Sequence, residues 1–153
     1  MTTGWEAPRA GYLFTLAVAS GEEDDLWTAI TSADGGHDLL IALGAQARLM
    51  ARTATTATGK PFVVPASVWE CIACPDVRSF AVAAYAGEEP GELSVSCTRC
   101  LREAAEVLAR LQLAAMDAAR VPLAWLAGVC GQLTSAGGSP VTPLPDPGAA
   151  VAP

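Results

Sequence analysis

The sequence predicts a mainly helical fold with one small β-hairpin, an α+β arrangement. Three observations carry this expectation. Apolar residues recur at steps of three and four from Leu40 to Ala54 and again from Leu101 to Ala118, the repeat of a helix with one buried face. Between those stretches Phe80, Val82 and Ala84 alternate, and so do Leu93 and Val95 beyond a Gly87-Glu88-Glu89-Pro90-Gly91 turn, the period of two strands joined by a loop. Four cysteines bracket the hairpin in two matched pairs, Cys71-Ile72-Ala73-Cys74 and Cys97-Thr98-Arg99-Cys100, with 22 residues between the pairs. That spacing is the one a four-thiolate zinc site uses.

Size and composition set the outer limits. A chain of 153 residues with 52% hydrophobic and 16% charged residues buries a modest core and is too apolar to stay disordered. The expected organisation is an N-terminal helical region over 1–65, then a zinc module with a long helix and an apolar C-terminal helix over 66–133. These two pack as one compact domain, and 134–153 form a disordered tail rich in proline and glycine. The net charge of −7 argues against a broad nucleic-acid surface, which needs clustered lysine and arginine. Only Lys60 is lysine and alanine abounds, a bias of high-GC bacteria or their phages. No run reaches the roughly 18 apolar residues of a spanning helix. The segment from Gly11 to Ser20 is short for a signal-peptide core, and Arg9 before it is opposed by Glu6, so secretion is the minor reading.

Taken in order, residues 11–19 are a continuous apolar run, read as a helix because helical segments follow. Ser20-Gly21-Glu22-Glu23 fits a capping box that opens the next helix, and the acidic run to Asp25 suits a helix N-terminus. That helix carries Leu26, Trp27 and Ile30 and ends near Ser32, before the turn Ala33-Asp34-Gly35-Gly36. A longer helix from about Asp38 to Thr58 aligns Leu40, Leu43, Ala47, Met50 and Ala54, with Arg48 and Arg52 on another face. Gly59-Lys60-Pro61 stops it. Phe62 to Pro65 is an extended connector. After Cys100, Leu101, Ala104, Leu108, Leu111, Ala115 and Ala118 share a helix face. Arg99–Glu103, Arg102–Glu106 and Glu106–Arg110 stand four apart and can pair on the other side. Pro122 opens a charge-free helix running to Leu133.

The cysteines carry the chemistry. One Cys-x-x-Cys turn supplies two corners of a zinc tetrahedron, and a second turn brought close in space supplies the rest. A hairpin would return Cys97 toward Cys71 and Cys74. The second pair opens a helix, whose unpaired amides and dipole favour thiolate. Turn, hairpin and helix in that order resemble the treble-clef class of zinc modules, with the zinc ribbon as close competitor. The resemblance covers residues 69–120 and implies a structural metal, with roles in that class ranging over nucleic-acid binding, protein binding and pure structure. An iron–sulfur cluster also suits four thiolates, and disulfide or redox chemistry is the remaining reading of the same residues. A closed four-sulfur site leaves no position open for catalytic water.

Other residues offer less. His37, the sole histidine, stands at a helix start and reads as a capping or solvated residue. Cys130 reads as an inert buried thiol. Glu22 to Asp25 lack the spacing of a calcium loop, and Gly59-Lys60 lacks the frame of a phosphate-binding loop. Arg78, Arg99 and Arg102 would contact phosphate if they converged. Trp125, Leu126, Val129 and Leu133 give the last helix either a core face or a self-association surface. With no catalytic constellation, the expected function is that of a non-enzymatic protein-interaction or adaptor protein. It would have structural zinc on Cys71, Cys74, Cys97 and Cys100, a protein partner, no membrane association and a cytoplasmic location. The alternatives are a nucleic-acid-binding regulator using those arginines and a redox- or metal-responsive switch.

Overall fold

The computed structural model describes residues 7–32, 36–70, 72, 74–87 and 98–135. Seven helices run through the described residues: α1 (Ala7–Ser20), α2 (Glu23–Ser32), α3 (Gly36–Thr58), α4 (Ala66–Glu70), α5 (Pro75–Ala86), α6 (Thr98–Ala119) and α7 (Leu123–Ser135).

The centre is α3 beside α6, the most extensive helix pair in the molecule. Alanines make the close approach possible: Ala47 and Ala54 of α3 and Ala104, Ala105, Ala109 and Ala115 of α6 are all buried. Small side chains at a contact let helix axes come to the short end of the usual 8–10 Å. The two helices run in the same direction. Leu39, Leu40 and Leu43 join Leu101, Ala104 and Leu108 in one core cluster. Met50 and Ala54 join Ala115, Met116 and Ala119 in a second.

Across the middle of this pair lies α1. Its Gly11 stands against the side chain of Gln46 on α3, and one turn later Thr15 is hydrogen-bonded to Gln112 on α6. Ala10 and Phe14 on one side of α1 enter the first cluster, and Tyr12 on the other side enters the second. Two aromatic contacts fasten its neighbours: Phe14 meets Trp27 of α2 in a tilted pair at 5.9 Å between ring centroids, and Tyr12 meets Trp125 of α7 edge-on at 6.0 Å. Such pairs add roughly 0.5–1.5 kcal/mol beyond the area they bury.

The expected β-hairpin is not the fold. Residues 79–85, read as its first strand, lie in α5, and no strand occurs among the described residues. The alternation of Phe80, Val82 and Ala84 coincides with a second pattern, Val77, Phe80, Ala81 and Ala84, spaced i, i+3, i+4 and i+7. All four of these are buried, whereas Val82 is 43% exposed, so the helical period decides. Pro75 occupies the first turn, and Gly87 at φ 79° closes the helix, its N–H directed to the carbonyls of Ala83 and Ala84. Proline and glycine thus stand where a helix favours each. The second expected strand, Leu93 to Val95, lies outside the described residues. A treble clef or zinc ribbon needs the hairpin, so neither zinc-finger class describes this chain, and the α+β reading gives way to an all-helical bundle.

Two smaller expectations also shift. Ser20 is the last residue of α1, not the cap of α2, and its hydroxyl donates to the Leu16 carbonyl. Gly21 at φ 75° follows it. Its N–H reaches Val18 and the Glu22 N–H reaches Ala17, the paired bonds of a Schellman closure. Ala118, aligned with the apolar face of α6 by spacing, is exposed, because the helix turns that flank to solvent beyond Ala115. Residues 136–153 of the expected tail lie outside the described residues. No helix among the described residues is long and apolar enough to cross a membrane.

Candidate functional site

Both cysteine pairs lead into helix N-termini. Cys74 is the N-cap residue of α5, with φ −85° and ψ 121° and no side-chain capping hydrogen bond. It is half-buried and not in a disulfide. Cys100 stands in the first turn of α6. Cys71, Cys97 and the side chain of Cys100 lie outside the described residues. Among the described residues no three of the His, Cys, Asp and Glu side chains come together as a metal site, so the zinc module expected from the sequence is not seen as a formed unit.

What is seen is the framework around the two turns. Ile72, between Cys71 and Cys74, is fully buried. It shares one core cluster with Val77 of α5 and with Leu101, the residue after Cys100, and Cys74 packs against that cluster. At the other end of α5, Ala84 touches Gly44 of α3. The buried residues of α5, from Val77 to Ala84, all belong to that cluster, together with Leu39, Leu40 and Leu43 of α3 and the buried residues from Leu101 to Ala109 of α6. The turn is braced from within: Arg78 Nη2 donates to the Ile72 carbonyl at 2.8 Å.

The arginines expected to contact phosphate if they converged are differently employed. Arg78 is exposed but is tied to the Ile72 carbonyl. Arg102 is ion-paired with Asp24 at the start of α2 and with Glu106 one turn on, the latter at 2.8 Å. Hydrogen bonds to Glu106 and then Asp24 push its guanidinium still further above its ordinary value. The side chain of Arg99 lies outside the described residues. Two of the three are thus held by acceptors of the chain itself, an arrangement that opposes a phosphate surface.

Arg48, set by the helical spacing on another face of α3 from the apolar stripe, is partly buried. Its Nη1 donates to the carbonyls of Ala84 and Tyr85 at 3.3 and 3.1 Å, a cation on the carbonyl end of α5. Burial pushes the Tyr85 phenol up, and Arg48 pulls it partly back. Only tertiary pairing reveals this, since Arg48 and Ala84 are 36 residues apart.

The apolar C-terminal helix turns inward. Leu126 and Val129 are fully buried against Tyr12, Met50 and Met116, and Trp125 is partly buried on the same cluster. The side chain of Leu133 lies outside the described residues. Cys130 is buried beside them, and burial pushes its thiol up to about 11, which suits an inert core residue.

A groove of about 600 Å³ opens along α1 and the start of α2, lined by Leu13, Leu16, Ala17, Ser20, Glu22, Asp25 and Leu26. Comparison with protein-family models, curated proteins and solved structures gives no match.

Proposed function

We propose that the chain is a non-enzymatic interaction protein of a reducing compartment, its helical bundle clipped at one end by a zinc ion on Cys71, Cys74, Cys97 and Cys100. One observation supports the reading. Both Cys-x-x-Cys pairs lead into N-termini of helices whose nearest buried residues, Ile72, Val77 and Leu101, belong to one core cluster. The positive ends of two helices offset the net negative charge of a four-thiolate centre. Chain length permits closure: the 12 residues of α5 rise about 18 Å, and residues 87–97 can span up to about 36 Å. The clip is therefore built on two helix starts and needs no hairpin. Four sulfurs close the coordination sphere, so the metal's role is to hold the helices, and function falls to the surface they present.

Native mass spectrometry of protein purified without chelator tests this. One zinc per chain is the expected result, with Cys74→Ser and Cys97→Ser each losing the metal and melting lower, because metal-binding free energy is folding free energy. A metal-free chain lighter by two or four hydrogens would identify disulfides and end the zinc reading. Visible absorption with bound iron would replace zinc by an iron–sulfur cluster.

A further inference from the structure

Leu13, Leu16 and Ala17 of α1 and Leu26 of α2 form the apolar floor of the open groove, and Glu22 and Asp25 stand on its rim. Leu13, Leu16, Ala17 and Ser20 are spaced i, i+3, i+4 and i+7, so a full stripe of α1 faces this opening. Among the described residues the charged side chains lining the groove are both acidic, Glu22 and Asp25. Of four consecutive acids, Asp24 is paired with Arg102, while Glu22 and Asp25 are exposed. The Glu23 oxygen Oε2 is shielded from solvent and accepts no hydrogen bond. Arg102 is already shared between Asp24 and Glu106, which leaves the rim without a compensating cation from that residue.

We infer that this groove docks a basic amphipathic segment of a partner protein. Apolar side chains of the segment fill the Leu13–Leu16–Leu26 floor, and lysines or arginines one turn away meet Glu22 and Asp25. The inference rests on the interaction-protein reading and names its surface. Charge selects the occupant. A second copy of this chain, with net charge −7, would bring acid onto acid at short range if it docked groove to groove. A basic segment is instead drawn in, with affinity from the apolar floor and orientation from the rim.

The full chain, immobilised, is panned against a display library of random peptides of ~12 residues, about three helical turns. Enriched peptides are then titrated against the wild type, Leu16→Glu and the double variant Glu22→Lys/Asp25→Lys. The expected winners carry Lys or Arg three or four positions from Leu, Ile, Phe or Met. Binding should weaken with salt and at least ~10-fold in each variant, the loss of about 1.4 kcal/mol. Leu16 is partly buried, so a melting curve accompanies its variant; the double variant changes only exposed positions and decides the matter if Leu16→Glu does not fold. No enrichment, winners without basic residues, or affinities unmoved by the double variant would each overturn the inference. Zinc content measured on the same preparation keeps the readings apart. Metal bound with no peptide selected removes the groove and leaves the clip; peptide bound without metal does the reverse.

Discussion

At the scale of single residues, sequence-identical glycines carry opposite consequences. A methyl group at Gly44 would stand 2.4 Å from the Ala84 carbonyl oxygen and 2.5 Å from its carbon. Those are backbone atoms of α5, which cannot step aside as a flexible side chain can. Gly44→Ala should therefore destabilise by ~1–3 kcal/mol, the usual cost of overpacking, read as a drop in denaturation midpoint. Gly128 on α7 meets nothing within 4 Å and is exposed and helical. There Gly128→Ala should stabilise by ~0.5–1 kcal/mol, because alanine has less backbone freedom to lose. Cys130 gives a pH signature. Its thiol rises from 9.0 to about 11 through burial, so the fold favours the neutral form. The stability it contributes is complete below pH 9 and is lost as pH climbs through about 11. Tyr12 beside it is also pushed up, by burial first and by Cys130 second, and adds to the same alkaline loss. Denaturant unfolding from pH 8 to 11 should show falling stability above 9, with a shallower fall in Cys130→Ala.

At the scale of elements, the clearest agreement between sequence and fold is the stop of α3. Gly59 at φ 73° closes α3 by donating to Thr55 at 2.9 Å, as the Gly-Lys-Pro stop suggests. The closure of α6 follows the same pattern with a costlier residue. Arg120 has φ 60°; its N–H reaches Asp117, and the Val121 N–H reaches Met116. Val121 and Met116 are both buried in one cluster, the apolar contact that accompanies a Schellman motif. A residue with a Cβ is strained in that conformation by roughly 1–2 kcal/mol. Arg120→Gly should therefore raise stability by up to ~1 kcal/mol, visible as a melting temperature higher by a few degrees. The helices from Leu40 and from Leu101 were legible because each repeats its apolar period over several turns. The helix α5 was not. Over five residues Phe80-x-Val82-x-Ala84 satisfies a strand, and only Val77 and Ala81 extend the pattern to a helix. The cysteine spacing favours a hairpin there. The same spacing marks both pairs as candidate ligands, and Cys71, Cys97 and the side chain of Cys100 lie outside the described residues. Arg48 at the end of α5 and the groove on α1 had no sequence signal, since both depend on which helices meet.

At the scale of the whole molecule, the core is divided by a polar layer. Thr15 and Gln112 are fully buried and Gln46 nearly so. They lie where α1 crosses the α3–α6 pair, between an apolar cluster at one end and a second at the other. Thr15 Oγ1 is 3.0 Å from the Gly11 carbonyl and 3.0 Å from Gln112 Oε1, and its single proton can serve one of them at a time. Gln112 Nε2 is buried with no hydrogen-bond partner. Stability alone does not explain such a layer, since an unpaired buried donor costs about 1–3 kcal/mol. Its effect is positional: the Thr15–Gln112 bond forms only when α1 crosses with Thr15 over Gln112, which fixes the sliding of α1 along α6, whose contact face is rich in interchangeable alanines and leucines. The two ends of this bond should respond with opposite sign. Thr15→Val removes the hydroxyl that serves Gln112 and leaves a buried carboxamide less satisfied, a loss of ~1–3 kcal/mol. Gln112→Leu removes the orphaned donor while Thr15 keeps the Gly11 carbonyl. It should be neutral or stabilising by about 1 kcal/mol, yet with broader amide resonances and faster hydrogen exchange in α1, because the crossing is then held by apolar packing alone. Equal destabilisation by both variants would mean that the layer holds the fold through its hydrogen bonds and not through the register they impose.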